Sequence, residues 1–318
     1  MNVLVTGAAG FIGSHVAEAL LQQGDAVAGL DNFNDYYDPR RKRANAALLA
    51  AFPRFTLHEA DVRDEGAIAH LCAQGGFDAI IHLAAMANVR YSIERAPLYT
   101  DVNVRGTVNL LEAARKAGSP HFVFASTSSV YGRTERLPFR EDDPLGRPLA
   151  PYPATKIAAE VMGHSYHQLF GISFTALRFF SVYGPRGRPD MMPYIVTDSI
   201  AHERQFALYN AGEMYRDWTY IADIVSGVVA AAERPLGYEI VNLGRGEPVR
   251  MRDFVDLVEE LVGKPARMTT PPAPPSEPLV THADISKAQQ LLDYHPQTFV
   301  ADGMRRFWEW YRAQSLAS

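Results

Sequence analysis

The chain has 318 residues, room for one large α/β domain with a smaller lobe or for two domains. An apolar share of 47% supplies an ample core, while a formal net charge of -5 without any long basic run argues against a nucleic-acid binder. Cys72 is the single cysteine, so no intrachain disulfide forms, and no apolar run approaches the roughly 20 residues of a membrane span.

Met1 leads directly into "NVLVTG" with no basic or long apolar leader, and with the lone thiol this sets the expectation of a soluble cytoplasmic protein. Further β-rich apolar runs follow in "DAVAGLD", "RFTLHEAD", "DAIIHLAA", "HFVFAST" and "SFTALRFF". Helix-like patterns near 11–23, 40–51, 64–74, 97–117 and 153–170 alternate with them. That alternation predicts an α/β fold, a Rossmann-type doubly wound parallel sheet over residues 1–180. Past Phe180 proline and glycine punctuate "VYGPRGRPDMMP", and "TTPPAPPSEP" near 269–278 reads as a connector. Residues 181–318 are expected to form a smaller substrate-binding lobe, with "YEIVNLG" returning as a strand to the main sheet near 239–243.

Gly7-Ala-Ala-Gly10-Phe11-Ile12-Gly13 follows the first strand and opens a helix, the context in which a glycine loop holds a pyrophosphate. Asp31 ends the second strand, where a carboxylate accepts hydrogen bonds from ribose hydroxyls and repels a 2′-phosphate, favouring NAD over NADP; the alternative is a plain strand-end turn residue. Asp61 stands similarly after the third run, within reach of an adenine, and the apolar "HLAA" lines the cleft, with His82 itself read as a core histidine.

Tyr152 and Lys156 are spaced by one helical turn in "YPATK", downstream of Thr127 in "FVFASTSSVYG". A phenol, with a reference pKa of about 10, becomes a base near neutrality only with roughly 4 kcal/mol of differential stabilisation. A neighbouring ammonium and an oxidised nicotinamide favour the phenolate, and a Thr127 hydroxyl aligns the reacting oxygen. "HSYH" (164–167) has no accompanying ligands, so no metal site is expected. "DPRRKR" (38–43) reads as a solvated helix start and "FWEWYRA" as a packing helix.

With GAAGFIG, DNFNDYYD, HLAA, STSSVYG, YPATK, GPRGRPDM, RDWTYIAD and ADISKA in place, the whole chain resembles the extended short-chain dehydrogenase/reductases, within them the nucleotide-sugar epimerases and most of all the UDP-glucuronate 4-epimerase branch. The resemblance implies a tightly bound NAD and a homodimer paired through the helices at 97–117 and 153–170. It implies Tyr152 as the base, Lys156 as the residue that lowers its pKa and holds the nicotinamide ribose, and Thr127 as the partner of the reacting oxygen. Asn32, Asn34, Val62, Leu83, Ala84, Ala85, Asn103 and Phe179 join the cofactor site on the same ground. A UDP-sugar would meet Arg90, Tyr209, Asn210 and Arg216, with Arg188, Ser128, Ser129 and Ser181 gripping a sugar carboxylate; alternatively Arg188 is a solvated loop charge and the serines cap turns. Similar dehydratases carry Asp-Glu where this chain has Ser128-Ser129, so elimination chemistry lacks its carboxylates. Asn88, Ala222 and the segment Pro274, Ser276, Glu277 depart from the family pattern. A UDP-glucose/UDP-galactose 4-epimerase and a non-catalytic NAD-binding sensor are the rival readings.

Overall fold

A computed structural model describes residues 1–118, 121–145 and 147–315. Seven parallel strands form the main sheet: β1 (Asn2–Thr6), β2 (Ala26–Asp31), β3 (Phe55–Glu59), β4 (Ala79–His82), β5 (His121–Thr127), β6 (Ser173–Phe179) and, from much later in the chain, β10 (Tyr238–Leu243). Their order is β10-β6-β5-β4-β1-β2-β3, so the direction of winding reverses between β1 and β4 and opens a crevice at the strands' carboxyl ends. The inner strands are apolar without alternation because helices cover both faces; all seven residues of β5 are buried.

One face packs against α1 (Phe11–Gln22) and α9 (Ile221–Glu233), with α2 (Pro39–Leu49) beside α1. The other packs against α3 (Glu65–Gly75), α6 (Gly106–Ala117) and α7 (Pro151–Phe170). The helix expected over 97–117 is α5 (Ala96–Thr100), a π-turn at Asp101–Arg105 and α6. The Gly106 N–H reaches back to the Asp101 carbonyl, and the widened turn carries Asn103 into the interior. Gly106 is needed there, since a Cβ would lie 2.6 Å from Val62 Cγ2.

Two minor sheets lie beyond the main one. β7 (Ser181–Tyr183) and β11 (Pro248–Arg250) flank β9 (Tyr215–Tyr220), and β8 (Gln205–Ala207) pairs with β12 (Arg267–Thr269). Helices α8 (Met192–Ala201), α10 (Met251–Val262) and α12 (Val300–Ser315) support them, and α11 (Ser286–Leu292) lies on β10. A short α4 (Val89–Ile93) follows β4. The apolar core on the α1/α9 face continues from Val3 through Trp218 and Phe254 to Phe307. As expected, "FWEWYRA" packs inward, through Phe307 and Tyr311. The segment 38–43 departs from expectation: Asp38 caps α2 at the surface, but Lys42 is buried, giving its Nζ to the Asn34 carbonyl and Oδ1 at 2.9 Å each. Among the described residues no helix is long and apolar enough to cross a membrane.

Candidate active site

A cavity of about 700 Å³ occupies the crevice at the carboxyl ends of β1, β2, β4, β5 and β6. Its floor is the glycine loop. Gly7 has φ +70°, and a Cβ on it would lie 2.8 Å from the Ala84 amide nitrogen; a Cβ on Gly13 would lie 2.0 Å from the Gly7 carbonyl oxygen. Only glycine permits this closeness, and Gly10 leaves the start of α1 without a side-chain cap, so its first-turn N–H groups remain for an anion. At the end of β2, the Asp31 carboxylate accepts from Ala9 N–H (3.1 Å) and Phe33 N–H (2.9 Å). Burial raises its pKa, against the pull of those amides and of Lys42 and Arg43. These features fit a dinucleotide: a backbone cradle for a pyrophosphate and a strand-end carboxylate for a ribose.

The next strands carry the reactive groups. Thr127 ends β5, where its Oγ1 accepts the Ser129 N–H and donates to Ser129 Oγ, each at 3.2 Å. Tyr152 and Lys156 occupy successive turns of α7, both buried. Lys156 Nζ donates to the Ala125 carbonyl at 2.7 Å and lies 4.6 Å from the Phe124 ring centroid. Burial brings its pKa down to about 7, with Glu160 opposing. One turn on, Glu160 takes a two-pronged bond from Arg178 (3.0 and 2.8 Å) and the Ser126 hydroxyl. Burial raises the pKa of the Tyr152 phenol, and the Thr127 hydroxyl bond and Arg188 only partly counteract this. The protein by itself does not make it a phenolate, because desolvation is the larger effect and Lys156 is committed to a carbonyl.

Across the cavity, Arg188 grips Asp190 through Nε (2.9 Å) and Nη2 (2.7 Å). Tyr36 Oη and Asn88 Nδ2 each donate to Asp190 Oδ2 at 2.8 Å, and the Asp190 pKa sits near 2, lowered by Arg188 and these donors against the effect of burial. Further out, Arg90 (3.0 Å) and Arg216 (3.1 Å) converge on the Glu277 carboxylate from the proline-rich connector. The Arg90 guanidinium also stacks 4.8 Å from the Tyr209 ring centroid.

Residues 3–244 match the NAD dependent epimerase/dehydratase family. The chain belongs to that family. It is 41% identical to a UDP-glucuronate 4-epimerase of Thermodesulfobacterium geofontis, over 96% of this chain and 95% of that one. It is 42% identical to UDP-glucuronate 4-epimerase 3 of Arabidopsis thaliana, over 98% of this chain and 76% of the relative. A crystal structure of UDP-glucuronic acid 4-epimerase from Bacillus cereus, in complex with UDP-glucuronic acid and NAD, superposes with a TM-score of 0.93 at 36% identity, covering 99% of this chain and 100% of that one.

For this epimerase/dehydratase chain, the cavity wall brings together Gly7, Gly10, Phe11, Ile12, Gly13, Asp31, Asn32, Asn34, Val62, Leu83, Ala84, Ala85 and Phe179 with Thr127, Tyr152 and Lys156. The same wall brings in Arg90, Ser128, Ser129, Ser181, Arg188, Tyr209 and Arg216. Three expected residues stand off the wall. Asp61 pairs with Arg63 at 2.8 Å and accepts from Asn32 Nδ2, so it supports the rim from behind. Asn103 bridges Met86 and Thr155 in the interior, and Asn210 is exposed, turned to the Glu213 carbonyl. His82 is a core histidine, bonded to Thr6 and Thr107. Lys42, Tyr36, Asp190 and Trp218 line the cavity without having been anticipated; Tyr36 and Asp190 stood inside the quoted DNFNDYYD and GRPDM motifs, which was the available signal. No group of three or more potential metal ligands occurs among the described residues.

Proposed function

We propose that this chain interconverts UDP-glucuronate and UDP-galacturonate by NAD-dependent 4-epimerisation. The observation that carries this reading is the sharing of one cavity by the Thr127–Tyr152–Lys156 trio and the Arg188 guanidinium, with serines rather than carboxylates at 128 and 129. NAD, held by the glycine cradle and Asp31, supplies acceptance of a hydride from sugar carbon 4 and its return to the opposite face. Tyr152 Oη takes the proton of the 4-hydroxyl and gives it back, Thr127 aligns that oxygen, and Lys156, anchored on Ala125, holds the nicotinamide ribose and in its protonated form favours the phenolate. The 4-keto sugar is a β-keto acid, so its carboxylate must be held out of alignment with the carbonyl; Arg188 and the serines are placed to hold it. Arg216 and Arg90 answer the diphosphate in exchange for Glu277, and Tyr209 borders the base.

The deciding experiment is incubation of purified protein with UDP-glucuronate and identification of the product by NMR. UDP-galacturonate is expected; conversion of UDP-glucose alone would establish the neutral-hexose reading. The protein acts as a homodimer through α7, whose Val161 (59% exposed), Leu169 (72%) and Phe170 (48%) leave an apolar stripe uncovered. The single, buried Cys72 accords with a reducing cytoplasm.

A further inference from the structure

The Arg188 guanidinium is not a free cation. Asp190 takes its Nε and Nη2 edge in a two-pronged bond, leaving Nη1 at the cavity wall without a hydrogen-bond partner among the described residues. Asp190 is itself fixed from two distant segments: by the Tyr36 hydroxyl in the loop after β2 and by the Asn88 amide at the start of α4. Asn88 is in turn tied down, its Oδ1 accepting the Tyr91 N–H (2.9 Å) and its backbone exchanging bonds with the Tyr99 hydroxyl (3.1 and 2.7 Å). The Tyr36 ring also lies 5.7 Å from the Arg188 guanidinium carbon, closing the cage from one side.

We propose that Asp190, clamped by Tyr36 and Asn88, is the positioning residue that turns Arg188 into a directional grip on the substrate carboxylate, setting acid-over-neutral sugar selectivity by geometry rather than by net charge. This rests on the proposed UDP-glucuronate activity. A bare arginine attracts a carboxylate from any direction; the Asp190–Arg188 pair is close to neutral overall and presents one defined N–H edge. The grip therefore fixes orientation at the cost of attraction. Orientation matters because loss of CO₂ from the 4-keto sugar breaks the C5–C6 bond only when that bond lies along the carbonyl π system. The bond's electron pair then enters the carbonyl as an enolate, which takes a proton from water as CO₂ departs and leaves a UDP-4-keto-pentose.

Asp190→Asn separates this role from a merely structural one. It removes the compensating charge and half of the two-pronged bond, so attraction rises while direction is lost. KM for UDP-glucuronate should fall several-fold, kcat should fall about tenfold, consistent with one charged hydrogen bond, and UDP-4-keto-pentose should appear by NMR. The ratio of UDP-glucuronate to UDP-glucose turnover should drop with it. Asn88→Gly, which deletes that donor and the Tyr91 N–H acceptor but keeps the Asp190 charge, should lower kcat and release UDP-4-keto-pentose by a smaller factor with KM unchanged, and it keeps the test alive if Asp190→Asn fails to fold. Equal losses on both sugars without pentose, or a raised KM with kcat unchanged, would overturn the proposal. Arg188→Ala distinguishes the underlying reading: if it leaves the acid-to-neutral ratio unchanged, Arg188 does not touch the carboxylate at all. If it collapses the ratio while Asp190→Asn and Asn88→Gly do not, Arg188 grips the carboxylate without needing Asp190.

Discussion

Tyr152 sits between opposing influences, and their balance couples chemistry to cofactor occupancy. Burial keeps the phenol protonated, and the Thr127 bond and Arg188 only soften that effect, so the remaining push toward phenolate has to arrive as positive charge with the oxidised cofactor. Tyr152→Phe should preserve the circular dichroism spectrum and bound NAD yet lower turnover about 10²- to 10⁴-fold; near-normal epimerisation would remove Tyr152 from the mechanism. Buried histidines set a pH limit, among them His121, whose pKa burial also lowers. Burial, reinforced by neighbouring cations, holds His15 down to about 4 and His82 down to about 3. The unfolded rings take a proton near pH 6.5, so the unfolded chain binds more protons than the folded one below that point. The stability attached to the neutral rings is complete above about pH 6.5 and is lost as pH falls toward 4 and then 3. Melting temperature should decline between about pH 6.5 and 5, a window in which ordinary carboxylates are still ionised, and His15→Gln should flatten that decline. A pH-independent melting temperature there would mean that these rings take up protons in the folded protein as readily as in the unfolded chain. That Tyr152, Lys156 and Thr127 share one cavity was legible in the sequence because of their spacing and their places at a strand end and on one helix. Asp190 with Tyr36, and Arg90 with Glu277, were not, since these pairs are 154 and 187 residues apart and no periodicity links them.

At the level of elements, the strands of the main sheet and their helices were readable because each buries two faces or one stripe. Periodicity alone failed at Asp101–Arg105, where the chain keeps a helical pattern but widens by a turn so that Asn103 can bridge Met86 and Thr155. The same limit applies to α7. Its sequence shows apolar residues all round, but the structure tells which are used: Ala159 and Gly163 face the sheet, whereas Val161, Leu169 and Phe170 lie open. Leu169→Arg should convert the proposed dimer to a monomer at micromolar concentration in light scattering. A wild-type monomer under those conditions would leave the stripe without its proposed partner.

For the whole molecule, the arrangement argues for a resident rather than an exchanging cofactor, because epimerisation returns the hydride to the sugar and brings no net redox change. Protein purified without added nucleotide should release NAD(H) on denaturation; its absence would point to an ordinary dissociating dehydrogenase. The sequence changes pattern past Phe180, and "YEIVNL" forms β10 beside β6 in the main sheet. What the pattern could not convey is the continuity of the core across that point, from α1 and α9 into α10 and α12. That continuity depends on packing between segments that each look complete alone.

The late arrival of β10 has a consequence for how the chain reaches this state during synthesis. When residue 180 has left the ribosome, six of the seven strands exist, but β6 has an open edge that stays unpaired until residues 238–243 emerge. At translation speeds of about 5–20 residues per second, that edge is exposed for several seconds, a row of free N–H and C=O groups on an apolar strand. Nascent chains stalled just past residue 180 should therefore be protease-sensitive and chaperone-bound, and chains stalled with β10 and α9 outside the exit tunnel should not. A fragment ending near 180 that folds and stays monodisperse on its own would show that the sheet does not need its last strand.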